Sequence, residues 1–294
     1  MNADATAVLR VIETGFGASI QDLGRPGWRR FGVPPSGCMD FHAADCANRL
    51  LDNERSAAVI EVLLGGCRFE MLRPAWVAIT GAAVKTPVGP WRAYHAEAGE
   101  LITLRQGAAG VWIYLAIEGG FLAPHYFGSA SHYGRGGIGM KLEKNLALSP
   151  ASSHIWRLPP GVAGRVASWE DQRDYAHPPP LRVWTGPQWN SFSSADRDLF
   201  LNSDWTVRPE SDRVGYRLSG PALKANPPEI FSEAVRVGSV QAPEAGQPIV
   251  TMRDGPTVGG YPKIALVDDE DLPWLAQCRP GQIVRFKLIE CTST

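Results

Sequence analysis

The sequence predicts a mainly β protein of two domains, with only a few short helices. Three observations point there. Its 294 residues are punctuated by 31 glycines and 24 prolines, a density that suits many short strands joined by turns. Several stretches alternate or run apolar as strands do. Helical periodicity is confined to brief segments.

Residues 282–288 carry the clearest strand pattern. Val284, Phe286 and Leu288 fall on one face and Arg285 and Lys287 on the other, the period-two alternation of a half-buried strand. Residues 77–80 and 110–117 are more continuously apolar and read as central strands. Asp40 is placed to N-cap a helix over 41–51, with Ala44, Ala47, Leu50 and Leu51 on one face. Ser193 or Ser194 caps a second helix around 198–201. A third opens at Asp271, has Pro273 in its first turn, runs through Trp274, Leu275 and Gln277, and is stopped by Pro280-Gly281.

Residues 98–105 and 280–286 share a turn glycine that launches an apolar strand, a faint internal echo. Between them, residues 158–180 are rich in proline, glycine and charge and read as an extended linker. The expected domains are therefore 1–160 and 161–294, the second including the linker.

With 29 Lys+Arg against 30 Asp+Glu, the net charge is −1. That leaves no electrostatic footprint for nucleic acid or an anionic membrane. The first 15 residues lack the basic and apolar regions of a signal peptide, and no apolar run reaches spanning length, so a cytoplasmic location is expected. Five cysteines with no C-x-x-C pair argue for reduced thiols over a disulfide framework or a zinc site.

Polar chemistry gathers in a few places. Residues 211–217 hold a carboxylate, Asp212, flanked by Arg213 and Arg217, and residues 257–263 bring Gly259, Gly260 and Tyr261 up to Lys263. Glycines let a ligand approach the backbone, but a salt-bridged turn would carry the same residues. Around Gln21, Asp22 and Arg25, turn-forming glycines and Pro26 leave two readings: Arg25 holds a substrate carboxylate in its planar fork, or it pairs locally with Asp22. Residues 34–40 deliver Ser36, Cys38 and Asp40 to a helix start; with no base nearby, Cys38 reads as a packed thiol. The glycine loop at 134–142 meets neither the Walker nor the dinucleotide pattern and reads as a flexible loop. Six histidines lack metal-ligand spacing, and G-x-S-x-G is absent. Carboxylates and cations remain. Asp212 or Glu233 could act as general base; Arg213, Arg217 or Lys263 could stabilise developing negative charge; Gln241 and Gln247 could orient a polar substrate.

Taken together, the motifs TGFGASIQDLGRPGWRRFGVPPSGCMD, ANRLLDN, SDRVGYRLSGP, SEAVRVGSVQAPEAGQPIV and TVGGYPKIALV resemble the KipA family. That family is also described as allophanate hydrolase subunit 2, or the C subunit of prokaryotic ATP-dependent 5-oxoprolinase. The resemblance implies two cyclophilin-like β-barrel domains. It also implies a place beside a KipI-like B subunit and an A subunit in a complex that opens 5-oxoproline to glutamate using ATP. The same domain serves as the carboxyltransferase part of urea amidolyase, with biotin, and another relative regulates a sporulation kinase by binding its KipI inhibitor. On this basis Asp212, Arg213, Glu233 and Lys263 are the expected catalytic residues. Expected substrate contacts are Gln21, Asp22, Arg25, Ser36, Asp40, Arg217, Gln241, Gln247, Gly259, Gly260 and Tyr261, with no metal. The chain departs from the family where Q-T-T-G-G-Y-P becomes Pro256-Thr257-Val258-Gly259-Gly260-Tyr261-Pro262 and where G-S-R-S-T becomes Gly128-Ser129-Ala130-Ser131-His132. In the G-R-x-L after the glycine loop, Met140 replaces the arginine. These losses of polar groups point to a changed substrate or to a non-catalytic role.

Overall fold

A computed structural model describes residues 6–86, 88–152 and 163–289. It is mainly β, and the chain divides into two compact units: Met1–Arg25 with Ser36–Tyr175, and Pro26–Pro35 with Ala176–Thr294.

The first unit holds two antiparallel sheets. One runs, in spatial order, Ala147–Leu148, Leu9–Thr14, Cys67–Met71, Leu101–Gln106, Val84–Lys85; the other runs Gly164–Val166, Arg92–Ala96, Ala75–Gly81, Trp112–Ile117, Val59–Leu63, Ala18–Gln21. Leu9, Val11, Phe69 and Leu104 from the first join Ile20, Ile60, Val77 and Leu115 from the second in one buried cluster. Trp112–Ile117 is buried at every position, which explains why its sequence runs apolar instead of alternating. Helix α1 (Phe41–Leu50) covers its other side: Thr80 Oγ1 donates to Ala43 O at 2.7 Å, and Asp40 N donates to Tyr114 Oη at 2.7 Å. Asp40 caps α1 through Ala43 N at 2.9 Å, as its position predicts.

Residues 158–162 of the expected linker lie outside the described residues. The rest does not run free. Gly164–Val166 pairs with Arg92–Ala96, and Tyr175 is buried with its hydroxyl on Asp40 Oδ2 at 2.6 Å. The glycine loop closes on itself as a 3-10 turn, Gly134–Gly136, beneath a Tyr133–Ile138 bridge.

The second unit is a sheet that closes. Its spatial order is Ile283–Val284, Trp205–Val207, Gly215–Ser219, Ile249–Thr251, Ser239–Gln241, Lys263–Val267, Leu181–Thr185, Phe286–Leu288. The two ends are halves of one stretch, so the sheet meets itself across Arg285. The sequence predicted one strand over 282–288. The structure splits it, because its first half pairs antiparallel with Trp205–Val207 and its second half pairs parallel with Leu181–Thr185. Val284 and Phe286 point inward as the alternation requires. Helix α2 (Ser194–Asn202) is capped by Ser193 and plugs the barrel with Phe200, which stacks on Phe286 at 4.6 Å. Helix α3 (Leu272–Ala276) has Pro273 in its first turn and ends at Gln277. Gly99 and Gly281, the two echoed glycines, both adopt the left-handed conformation, at φ 81° and 86°.

Candidate active site

In the first unit the polar motif folds inward. Asp22 Oδ1 accepts from Gly24 N at 2.8 Å and from the hydroxyls of Ser129 and Ser131 at 2.5 Å each, and Oδ2 accepts from Ala130 N at 2.7 Å. Four donors satisfy this buried carboxylate. Arg25 is fully buried and donates to the carbonyls of Ser131 and Tyr126. A guanidinium so used braces the loops of this unit. Gln21 Nε2 donates to Ser19 Oγ at 3.0 Å and to His132 O at 3.1 Å. Gln21 Oε1 and Ser36 Oγ are buried without a hydrogen-bond partner among the described residues. Asp40 caps α1.

In the second unit, the Ser211–Arg217 stretch is a built turn. Asp212 Oδ1 accepts from Val214 N at 2.8 Å and Gly215 N at 3.1 Å, the local bonding that makes aspartate a turn residue. Ser211 Oγ accepts from Arg217 N at 3.0 Å. Arg213 forks onto Asp254, with Nε to Oδ2 at 2.7 Å and Nη2 to Oδ1 at 3.2 Å. Asp254 is only 8 % exposed. Sequence inspection did not single it out, since 41 residues separate the partners. Gln247 closes another turn through both its amide atoms and the backbone of Gly220. Arg217 lies exposed on its strand.

Lys263 stands apart. Its side chain is 3 % exposed, and its Nζ lies 2.6 Å from Glu233 Oε1. The contact is close but not aligned as a hydrogen bond from the ammonium. Glu233 sits there because Glu233–Ala234 pairs with Val258–Gly259 in a two-stranded ribbon, which turns the residue 257–263 segment back toward it. Gln188, which sequence reasoning missed, ties the pair together: its Nε2 donates to Glu233 Oε1 at 2.8 Å, and its Oε1 accepts from Lys263 N at 3.0 Å. The Lys263 ammonium and the Gln188 amide hold the Glu233 carboxyl below its ordinary range. Gln241, opposite Lys263 across a register shift, donates from Nε2 to Thr251 Oγ1 at 2.8 Å. One close approach needs glycine: a Cβ at Gly186 would fall 2.1 Å from Lys263 O, whereas one at Gly259 would only crowd the side chains of Val235 and Gln241, at 3.1 and 3.3 Å. Gly260 O accepts from Ile230 N at 2.9 Å, and Tyr261 is 41 % exposed.

Lys263 lines a cleft of 460 Å³ with Arg29, Thr185, Gly186, Pro187, Ala234, Val235, Arg236, Ser239, Ala265 and Leu266. The volume is that of a small-molecule site. Asp212, Arg213 and Arg217 are not among its walls, so the two segments that the sequence placed together divide between a structural turn and a cleft. A buried ammonium at an apolar wall, beside a carboxylate, can stabilise an oxyanion or a polarised amide carbonyl. Among the described residues, no group of three His, Cys, Asp or Glu side chains could hold a metal ion, and no helix is long and apolar enough to cross a membrane.

Comparison with known proteins agrees with this architecture. The family model described as carboxyltransferase domain, subdomain A and B, matches residues 31–288. The C subunit of Haemophilus influenzae 5-oxoprolinase is 35 % identical over 292 residues, covering 96 % of this chain and 91 % of that protein. The crystal structure of TTHA0988 superposes with a TM-score of 0.85 at 32 % identity, covering 96 % of this chain and 56 % of the other. Kluyveromyces lactis urea carboxylase gives 0.87 at 25 % identity, covering 97 % of this chain and 28 % of the other. This chain thus spans little more than half of the one solved chain and under a third of the other. The family-model match over residues 31–288 and the 35 % identity to the Haemophilus influenzae protein over nearly its full length place the chain in the carboxyltransferase domain family, subdomains A and B.

Proposed function

We propose that this chain is the C-type subunit of an ATP-dependent 5-oxoprolinase, a lactam hydrolase that works with a KipI-like B subunit and an A subunit. The observation that carries this reading over urea carboxylation is end-to-end likeness: 91 % of the Haemophilus influenzae oxoprolinase protein is covered, against 28 % of the urea carboxylase. The cleft supports the chemistry. A lactam carbonyl is resonance-stabilised and resists attack until charge on its oxygen is stabilised. Lys263 is the group to do that, as an ammonium donating to the carbonyl oxygen. Glu233 aims the ammonium through their 2.6 Å contact; its lowered pKa makes it a weaker base, so its part is positioning. Water adds its oxygen to the carbonyl carbon, the ring C–N bond breaks, and the nitrogen takes a proton, giving glutamate. ATP is used by the assembled complex. Asp212 and Arg213 shape the neighbouring turn in this reading.

Co-purification with candidate A and B subunits, followed by assay of ATP-dependent glutamate formation from 5-oxoproline, tests the proposal. Turnover is expected. An intact complex that forms no glutamate would overturn it, and biotin-dependent carboxylation of urea by that complex would establish the rival activity.

A further inference from the structure

The cleft beside Lys263 carries more positive charge than its own carboxylates answer. Arg29 sits at the start of the 3-10 turn Arg29–Phe31 and reaches the cleft partly buried. Among the described residues its side chain's one hydrogen bond is a long one, from Nη2 to Pro256 O at 3.5 Å, and no carboxylate pairs with it. Burial, together with the repulsion of another cation, Arg236, holds its pKa below the ordinary guanidinium value. Two like charges held close in a partly dry wall are unfavourable unless an anion joins them. Arg236 lines the same cleft, and its own partner, Asp269, is a surface pair at 3.2 Å with both side chains more than half exposed. Such a pair is worth little and is readily exchanged for a ligand. Glu233 answers Lys263. Between these cations the wall is apolar: Pro187, Ala234, Val235, Ala265 and Leu266.

From this arrangement we infer that the cleft selects an amino-acid-sized lactam bearing a carboxylate, held by Arg29 and Arg236, with its ring on the apolar wall and its carbonyl at Lys263. The inference rests on the lactam reading above and adds the group that recognises the substrate's charge. A planar guanidinium fork matches a carboxylate with two parallel hydrogen bonds. Arg29 is the principal residue, because among the described residues no carboxylate competes for it.

Calorimetric titration of the full chain with 5-oxoproline and with its neutral analogue 5-oxoprolinamide isolates the carboxylate. The wild-type chain is expected to prefer 5-oxoproline by about tenfold or more, the strength of a charge-assisted hydrogen bond. Arg29→Gln should erase the preference, Arg29→Lys should keep part of it, and Arg236→Gln should reduce it; thermal melts show whether each variant is folded. Equal affinity for the two ligands, no binding by the wild-type chain, or an unchanged preference in folded Arg29→Gln would overturn the inference. So would inorganic phosphate binding tighter than 5-oxoproline, which would assign the cleft to a phosphoryl ligand. Failure here is distinguishable from failure of the functional reading. An Arg29-dependent preference without glutamate formation by the complex upholds the carboxylate site alone, and glutamate formation without that preference upholds the hydrolase alone.

Discussion

Lys263 and Glu233 illustrate how one residue sets the state of another. The carboxyl is held below its ordinary value of 4.5 by the ammonium beside it. A depressed folded-state pKa contributes stability that is complete above the unfolded value and lost as pH falls through the folded one. Glu233→Gln should therefore melt below wild type at about pH 7, with the difference closing as pH falls below the ordinary carboxyl value; a constant difference across that range would contradict the ion pair. Lys263→Met, which fills similar volume without charge, should lower turnover of the assembled complex by about 100-fold or more while the chain still folds. The cysteines behave oppositely. Burial pushes the thiols of Cys46, Cys67 and Cys278 up to about 12, and Cys38 is buried too. Cys291 lies outside the described residues. A thiol reagent at about pH 8 should label at most one of the five cysteines before unfolding and all five after.

At the scale of the element, capping and turn chemistry were legible and charge pairing was not. Asp40, Ser193 and Asp271 each open a helix where the sequence places one, because a cap is decided by neighbours within four residues. Arg213 finds Asp254, and Gln188 finds Glu233 and Lys263, across distances in sequence that periodicity does not reach. Arg29, which the sequence marks only as part of a longer motif, belongs to the second unit although it precedes most of the first. Two substitutions probe these elements. Asp40→Ala removes both the α1 cap and the acceptor of the buried Tyr175 hydroxyl and should cost roughly 2–3 kcal/mol in urea denaturation, with Asp40→Asn recovering the cap. Arg213→Ala strands the buried Asp254 carboxylate and should cost roughly 2–4 kcal/mol, part of it returned by Asp254→Ala in the same chain. Additive losses would show that the pair is not coupled.

For the whole molecule, alternation and apolar runs announced β structure, and the turn glycines marked where strands begin. Closure was not legible, since pairing between strands about a hundred residues apart leaves no local pattern. One stretch, residues 283–288, serves as both the first and the last strand of the second barrel. No open seam is left there to recruit a neighbouring chain. The same economy concentrates risk. Every strand from 181 to 267 is synthesised before the piece that joins its two ends, so the unit waits, with both edges bare, for one late segment. Folding of this half is thereby tied to high-contact-order pairing, and a charge introduced at buried Val284 or Phe286 would disturb the pairings on both sides at once.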